Sequence, residues 1–130
     1  MIVVDASAVL EILLQTQTAA AVEARLFQPG QTLHAPHLID VEVAQVLRRY
    51  AAANQADAQR YQAALDDWLD FPVHRYAHDV LLPRVWQLRA NVTAYDAVYI
   101  ALAEALAAPL ITRDGRLAGA PGHAAKVELV

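Results

Sequence analysis

Four carboxylates are placed where they could do chemistry together: Asp5, Glu42, Asp96 and Asp114. Asp5 closes the apolar run Ile2–Val4, and Asp114 lies two residues beyond Thr112, at the end of the apolar run Leu110–Thr112. Glu42, in LIDVEVAQVL, and Asp96, in TAYDAVYIAL, sit among apolar residues near the starts of helical patterns. Open parallel sheets hold their sites beyond the carboxyl ends of the strands, so all four acids can reach one edge. Carboxylates at close range raise one another's pKa and cannot all stay ionised without compensation. A hard divalent cation removes that conflict. Mg²⁺ takes oxygen ligands and keeps several waters, which leaves room for a phosphate, and it supports in-line phosphoryl displacement. The chain has no cysteine, so a metal must sit on oxygen or imidazole.

Each acid also has a plain structural reading. Asp5 is a candidate N-cap for the helix that follows. Asp40 and Glu42 are both flanked by apolar positions; Asp40 is the better cap and Glu42, beside Leu38 and Val46 on a helical wheel, the better inward acid. Thr93-Ala94-Tyr95-Asp96 resembles a capping box with Asp in the place of Glu, and Asp114-Gly115 is an ordinary turn pair. Asp57, Asp66, Asp67, Asp70, Glu23 and Glu104 read as solvated helix faces. The histidines, His34, His37, His74, His78 and His123, show no HExxH pairing. His34 and His37 flank Pro36 closely enough for a metal but lack a third partner.

The elements that must position the acids follow from periodicity. Ile2–Val4 reads as a buried strand turning into a helix near Ser7. Ala6–Leu14 and Ala19–Phe27 read as helices, with a turn at Pro29-Gly30. Leu33–Ala35 is a short strand that Pro36 breaks. Leu38–Ala53 carries a helical stripe of Ile39, Val43, Val46, Leu47 and Tyr50, and Ala56–Leu69 one of Tyr61, Leu65, Trp68 and Leu69. Val73–Arg75 is a strand. Helices follow at Asp79–Ala90, with Pro83 in the first turn, and at Ala94–Ala107, with Thr93 as N-cap. Leu110–Thr112, closed by Asp114-Gly115, and Lys126–Leu129 complete the strands. This alternation predicts one α/β domain over residues 1–130, a central parallel sheet of four to five short strands flanked by helices.

Composition narrows the class. The chain is 57% apolar and 18% charged, enough for a packed core and too apolar for disorder. The N-terminus lacks a basic leader and Asp5 interrupts its apolar run, and no run is long enough to span a bilayer; the expectation is a cytoplasmic protein. The net charge of −4, with one lysine, Lys126, and nine arginines, is unusual for a protein that binds a polyanion. Metal held by the acids would bridge to phosphate without a broad basic surface. Arg113 and Arg116 flank the last acid, where they could meet a phosphate or a partner carboxylate; ordinary solvated arginines fit equally well.

These motifs resemble those of PIN domains across essentially the whole chain. VVDASAVL is similar to the family's opening, whose Asp is the first metal ligand. PHLIDVEVAQVLRR resembles the second acidic helix, placing Glu42. TAYDAVYIALAEALAAPLITRDGRLA resembles the C-terminal block and places Asp96 and Asp114. The resemblance implies supporting roles for Ser7 and Thr112, whose hydroxyls would orient a ligand or a metal-bound water. Small, lone-standing members resemble the toxin half of VapBC toxin–antitoxin pairs. That implies an Mg²⁺- or Mn²⁺-dependent endoribonuclease, a homodimer, and a cognate VapB-type antitoxin that lays a basic side chain among the acids. Leu10, Leu13, Leu14 and Val46 are candidates for that groove or for the dimer face, with core packing as the default. A receiver-type phosphoacceptor domain shares the size and pattern but needs an acceptor Asp at a middle strand, which Val73–Arg75 does not offer. A catalytically silent interaction module is the remaining alternative.

Overall fold

The computed structural model describes all residues from Met1 to Val130. Strands Ile2–Val4 (β1), Leu33–Pro36 (β2), Val73–Tyr76 (β3), Leu110–Thr112 (β4) and Val127–Leu129 (β5) form one sheet. Every neighbouring pair is parallel, in the order β3-β2-β1-β4-β5. The three residues of β1 and the three of β4 are all buried, as expected of short β-branched runs covered on both faces. This is the expected α/β architecture. The order also separates it from the receiver alternative, whose strands run 2-1-3-4-5.

The chain builds outward from β1 through β2 to β3, then crosses back to lay β4 on the other side of β1. The order therefore reverses between β1 and β4, and the crevice beyond their carboxyl ends is where such sheets bind ligands. Asp5 and Asp114 follow those two ends. Helices Ala6–Leu13 (α1), Ala19–Leu26 (α2), Leu38–Ala53 (α3), Ala58–Leu69 (α4), Leu82–Gln87 (α5) and Ala94–Leu106 (α6) cover the sheet, and a single turn, Gly115–Ala118 (α7), follows β4. Helix α6 packs on β1, β2 and β4. It is buried continuously from Ala97 to Ala103, the mark of a helix apolar all round. The buried apolar side chains form one cluster. No helix is long and apolar enough to cross a membrane.

Several local expectations need correcting. Pro36 does not break β2 but ends it, opposite Tyr76 of β3; the β1 register runs only to Val3↔His34, so the missing N–H costs that pairing little. The helix expected over Asp79–Ala90 is a 3₁₀ turn, Asp79–Leu81, followed by the short α5. An α-helical bond to the Asp79 carbonyl would come from Pro83, which has no N–H; Leu82 N–H takes that carbonyl instead. The helix expected from Ala56 begins at Ala58, after a 3₁₀ turn over Gln55–Asp57 held by Asn54 Nδ2 donating to Asp57 at 2.9 Å. Asp114-Gly115 opens α7 and is not merely a turn. Tyr50 and Leu69 are exposed, at 44% and 68%, so the inward stripes are narrower than expected.

Candidate active site

Asp5 has extended backbone, φ −88° and ψ 153°, at the junction of β1 and α1, and its carbonyl accepts the N–H groups of Ala8 and Val9. Its side chain caps nothing. Ser7 Oγ and Thr112 Oγ1 both donate to Asp5 Oδ2, at 2.7 and 2.8 Å. Each hydroxyl oxygen in turn accepts a backbone N–H from the segment after β4: Ser7 from Arg113 and Thr112 from Asp114, both at 2.9 Å. A hydroxyl has one hydrogen, and in both residues it is spent on Asp5. The two strand ends are thereby stitched together, and Asp5 Oδ1 is left with no protein partner on the cleft side.

Glu42 lies in the second turn of α3 and reaches the same cleft. Tyr99 of α6, buried but for 1% of its surface, donates its hydroxyl to Glu42 Oε1 at 2.5 Å. Burial raises the Glu42 pKa above the usual carboxylate range; the Tyr99 hydrogen bond opposes this, and the charges of Asp5 and Asp96 add to the rise. Burial and the Glu42 carboxylate likewise push the Tyr99 hydroxyl up, so it stays a donor. Asp96 is three residues before Tyr99 on the same helix face. Its backbone N–H is capped by Thr93 Oγ1 at 3.2 Å, but its carboxylate does not return the bond and turns into the cleft. Burial raises the Asp96 pKa; Arg116 opposes the rise, while Asp5 and Asp114 reinforce it. Asp114 caps α7 through Oδ1, which accepts Arg116 N–H at 2.9 Å, and Oδ2 meets the Arg116 guanidinium at 3.3 Å.

Asp5, Ser7, Glu42, Asp96, Asp114 and Arg116 thus line one cleft of about 430 Å³. Thr112 supports it from beneath, fully buried. Four carboxylates face one guanidinium, and that side chain is 78% exposed. Leu10 and Val46 also line the cleft, whereas Leu13 belongs to the core and Leu14 lines a different hollow. Tyr99 escaped the sequence reading; its place in the Asp96 helix, one turn on, was the available signal. Asp40, expected as a helix cap, caps nothing: it accepts Trp68 Nε1 at 2.8 Å and pairs with Arg75. Glu104 is not a free solvated acid but pairs with Arg84 at 3.2 Å. Arg113 turns away, toward Glu11 and the Val130 carbonyl. His34 is buried between Thr32 and Tyr76, stacked on His74, while His37 lies near His78; the two do not form a ligand pair.

The PIN-domain family model matches residues 2–122. The chain belongs to the PIN-domain family. "Ribonuclease VapC12" of Mycobacterium tuberculosis is 43% identical over 130 residues, covering 100% of this chain and 99% of that protein. "Ribonuclease VapC9" of the same organism is 46% identical over 117 residues, covering 90% and 88%. Among solved structures, VapBC2 from Rickettsia felis, bound to a DNA fragment from its promoter, superposes with a TM-score of 0.72 at 14% identity over 99% of this chain and 98% of that one. PAE2754 from Pyrobaculum aerophilum gives 0.59 at 24% identity over 88% and 75%. These two likenesses speak to the fold.

Whether this PIN domain's cleft suits a metal can be asked of its donors. All are hard oxygens, Asp5 Oδ1 is free, and Glu42 and Asp96 are held where negative charge is disfavoured. No three carboxylates or imidazoles stand close enough to hold one ion by themselves. An ion there would take one or two carboxylates directly and complete its shell with water, as Mg²⁺ does. The donor set fits a hydrated divalent ion.

Proposed function

We propose that this chain is a metal-dependent endoribonuclease, a VapC-type toxin held in check by a cognate VapB-type antitoxin, and that residues 1–130 act as one domain in a homodimer. The observation that carries the reading is four carboxylates facing one exposed guanidinium at the β1–β4 switch point. The names of the relatives, both VapC ribonucleases, support the choice of substrate and of a VapB-type partner.

Asp5, Glu42, Asp96 and Asp114 would hold Mg²⁺ or Mn²⁺, which supplies an activated water and offsets charge on the leaving oxygen. Ser7 and Thr112 hold Asp5 through Oδ2 and leave Oδ1 for the cleft. Tyr99 fixes Glu42 through one oxygen and leaves the other for solvent. A carboxylate of the cleft would accept the proton of the attacking water. With water, and not the ribose 2′-hydroxyl, as nucleophile and the P–O3′ bond breaking, the products carry 5′-phosphate and 3′-hydroxyl ends.

The test is cleavage of an RNA pool by the purified protein with Mg²⁺, Mn²⁺ or EDTA, beside Asp5→Asn and Asp96→Asn, with calorimetric metal titration of all three. Metal-dependent cleavage lost in both variants is the expected result. A 2′,3′-cyclic phosphate end would overturn the mechanism. Absence of both cleavage and metal binding would leave the silent interaction module.

A further inference from the structure

A second cleft, of about 640 Å³, opens beside the acids and shares Asp96 and Arg116 with their cleft. Its charge is of the other sign: Arg89 and Arg116 line it, and Asp96 is its one carboxylate. The walls are the segments around Arg89–Thr93 and Gly119–Pro121. They close on each other because Gly122, at φ +89°, has no Cβ; one there would stand 2.1 Å from Asn91 Nδ2. At the far end, the Arg89 guanidinium lies over the Trp86 ring, 4.7 Å from its centroid, and donates to the Trp86 carbonyl at 2.9 Å. Arg89 has no carboxylate within ion-pair reach, unlike Arg25, Arg75, Arg84, Arg113 and Arg116. Trp86 is 67% exposed, so it serves no core.

We propose that this cleft, from Arg116 past Asn91 to Arg89, together with the Trp86 ring that Arg89 covers just outside its lining, binds the single-stranded RNA that flanks the scissile phosphate, with the guanidiniums on backbone phosphates and the indole beneath a base. The assignment rests on the ribonuclease reading of the adjoining acids. A strand whose phosphate reacts at Asp96 must continue somewhere. Of the two directions, the wall of the acid cleft along α3 carries no cation, being formed by Leu38, Val41 and Val46 with Gln45, while this one offers cations in an otherwise acidic protein. Phosphate contacts from arginine position a nucleic acid without reading its sequence. An exposed indole accepts any base on its open face, because every base has a π-face. Arg116 has a double place: paired with Asp114 and 3.9 Å from Asp96, its exposed guanidinium is free to swing to an arriving phosphate. The site thereby gains affinity for a polyanion despite the net charge of −4.

The tryptophans make the test direct. Of the two in the chain, Trp68 is buried and bonded to Asp40, so quenching by a stacked base reports Trp86. The probe is oligoadenylate of about ten nucleotides, long enough to span one site of this kind, titrated in EDTA so that it survives. The expected result is saturable quenching of Trp86 emission, with affinity weakened on the order of tenfold in Arg89→Gln and, read by the anisotropy of end-labelled oligoadenylate, in Trp86→Ala as well. Arg89→Gln should also reduce the slope of log affinity against log salt by about one. With Mg²⁺ and a longer RNA, both variants should raise KM and leave kcat unchanged, the pattern of lost uniform binding. Both side chains are exposed, so neither change opens a cavity. Unchanged Trp86 emission at saturating RNA, or variants that bind and cleave like the parent, would overturn the proposal. Cleavage by parent and variants alike would do so while leaving the ribonuclease reading intact. Quenching and variant-sensitive binding without cleavage of any RNA would instead support the groove and remove the nuclease.

Discussion

Helix α3 carries two acids, Asp40 and Glu42, in opposite surroundings. Asp40 takes the Trp68 indole N–H and receives Arg75 Nε at 2.9 and 3.0 Å from its two oxygens. Glu42, on the other side of the helix, has one neutral donor, Tyr99, and otherwise faces Asp5 and Asp96. A step of two residues on a helix turns a side chain to the opposite face, so the same short segment feeds a neutralised pair and an uncompensated cluster. The first arrangement serves the fold. The second works against it, because burial and like charges both oppose ionisation. Such a conflict marks a site built for a ligand, with stability given up for activity.

The comparison predicts a sharp division in activity. Asp5→Asn and Asp96→Asn should each lower RNA cleavage on the order of a thousandfold, about 4 kcal/mol at the transition state, with circular dichroism unchanged. Asp40→Asn should stay within about threefold of the parent, since neither of its partners touches the cleft. Initial rates on one RNA settle the matter, and comparable losses in Asp40→Asn would dissolve the distinction between the two acids. Tyr99→Phe should fall between, roughly tenfold to a hundredfold slower, the usual cost of losing a partner that orients a ligand. The loss should appear in metal affinity as well, and an unchanged metal titration would show that the hydroxyl is only satisfying itself.

How far these roles could be read in advance depended on how local their causes are. Asp5 and Asp114 are legible because each follows an apolar run, and a strand end is a local signal. Thr93 was legible as a cap because its partner, Asp96 N–H, is three residues away. The role of Asp40 was not, because Trp68 and Arg75 lie 28 and 35 residues on. Nor was the Tyr99–Glu42 bond, which spans 57, or the Arg84–Glu104 pair, which spans 20. The short α5 is half legible: Pro83 marks a first turn, but which carbonyl it orphans depends on where the turn begins. Topology brought the four acids together in the expected place; the tethers that hold them come from long-range packing, which periodicity does not encode.

Stability should divide the same acids with reversed sign and smaller size. Asp40→Asn should cost about 1 kcal/mol in urea unfolding, no more, since the pair is partly exposed and screened. Glu42→Gln removes a disfavoured charge while keeping an oxygen for the Tyr99 hydroxyl, so its Tm should rise by a few degrees. Added Mg²⁺ should narrow the gap by stabilising the parent more than the variant, because a ligand stabilises the form that binds it. A Glu42→Gln protein less stable than the parent would mean that the carboxylate contributes to the fold after all.

The finest test is the pH dependence of that gap. Glu42 has its pKa raised by burial and by Asp5 and Asp96, against the Tyr99 bond. Above the unfolded value and up to the folded one, the native state therefore holds more protons than the unfolded chain, and stability falls as pH rises through this window. Glu42→Gln should thus be favoured most above the raised value, and its advantage should shrink as pH drops through that value, vanishing near the ordinary carboxylate pKa. Glu128 is the control of opposite sign. Burial would raise its pKa, but the Arg25 hydrogen bond and charge, with Lys126, outweigh it and leave it lowered. Its contribution is present above the unfolded value and lost as pH falls through the lowered one. Glu128→Gln should therefore cost a few tenths of a kcal/mol at neutral pH, as partly exposed pairs do, and that deficit should close on acidification. Urea melts of the two variants against the parent between neutral pH and the carboxylate range should converge on zero from opposite sides. If both differences keep the same sign, the acids of the cleft are not set apart from the acids of the fold by their electrostatics.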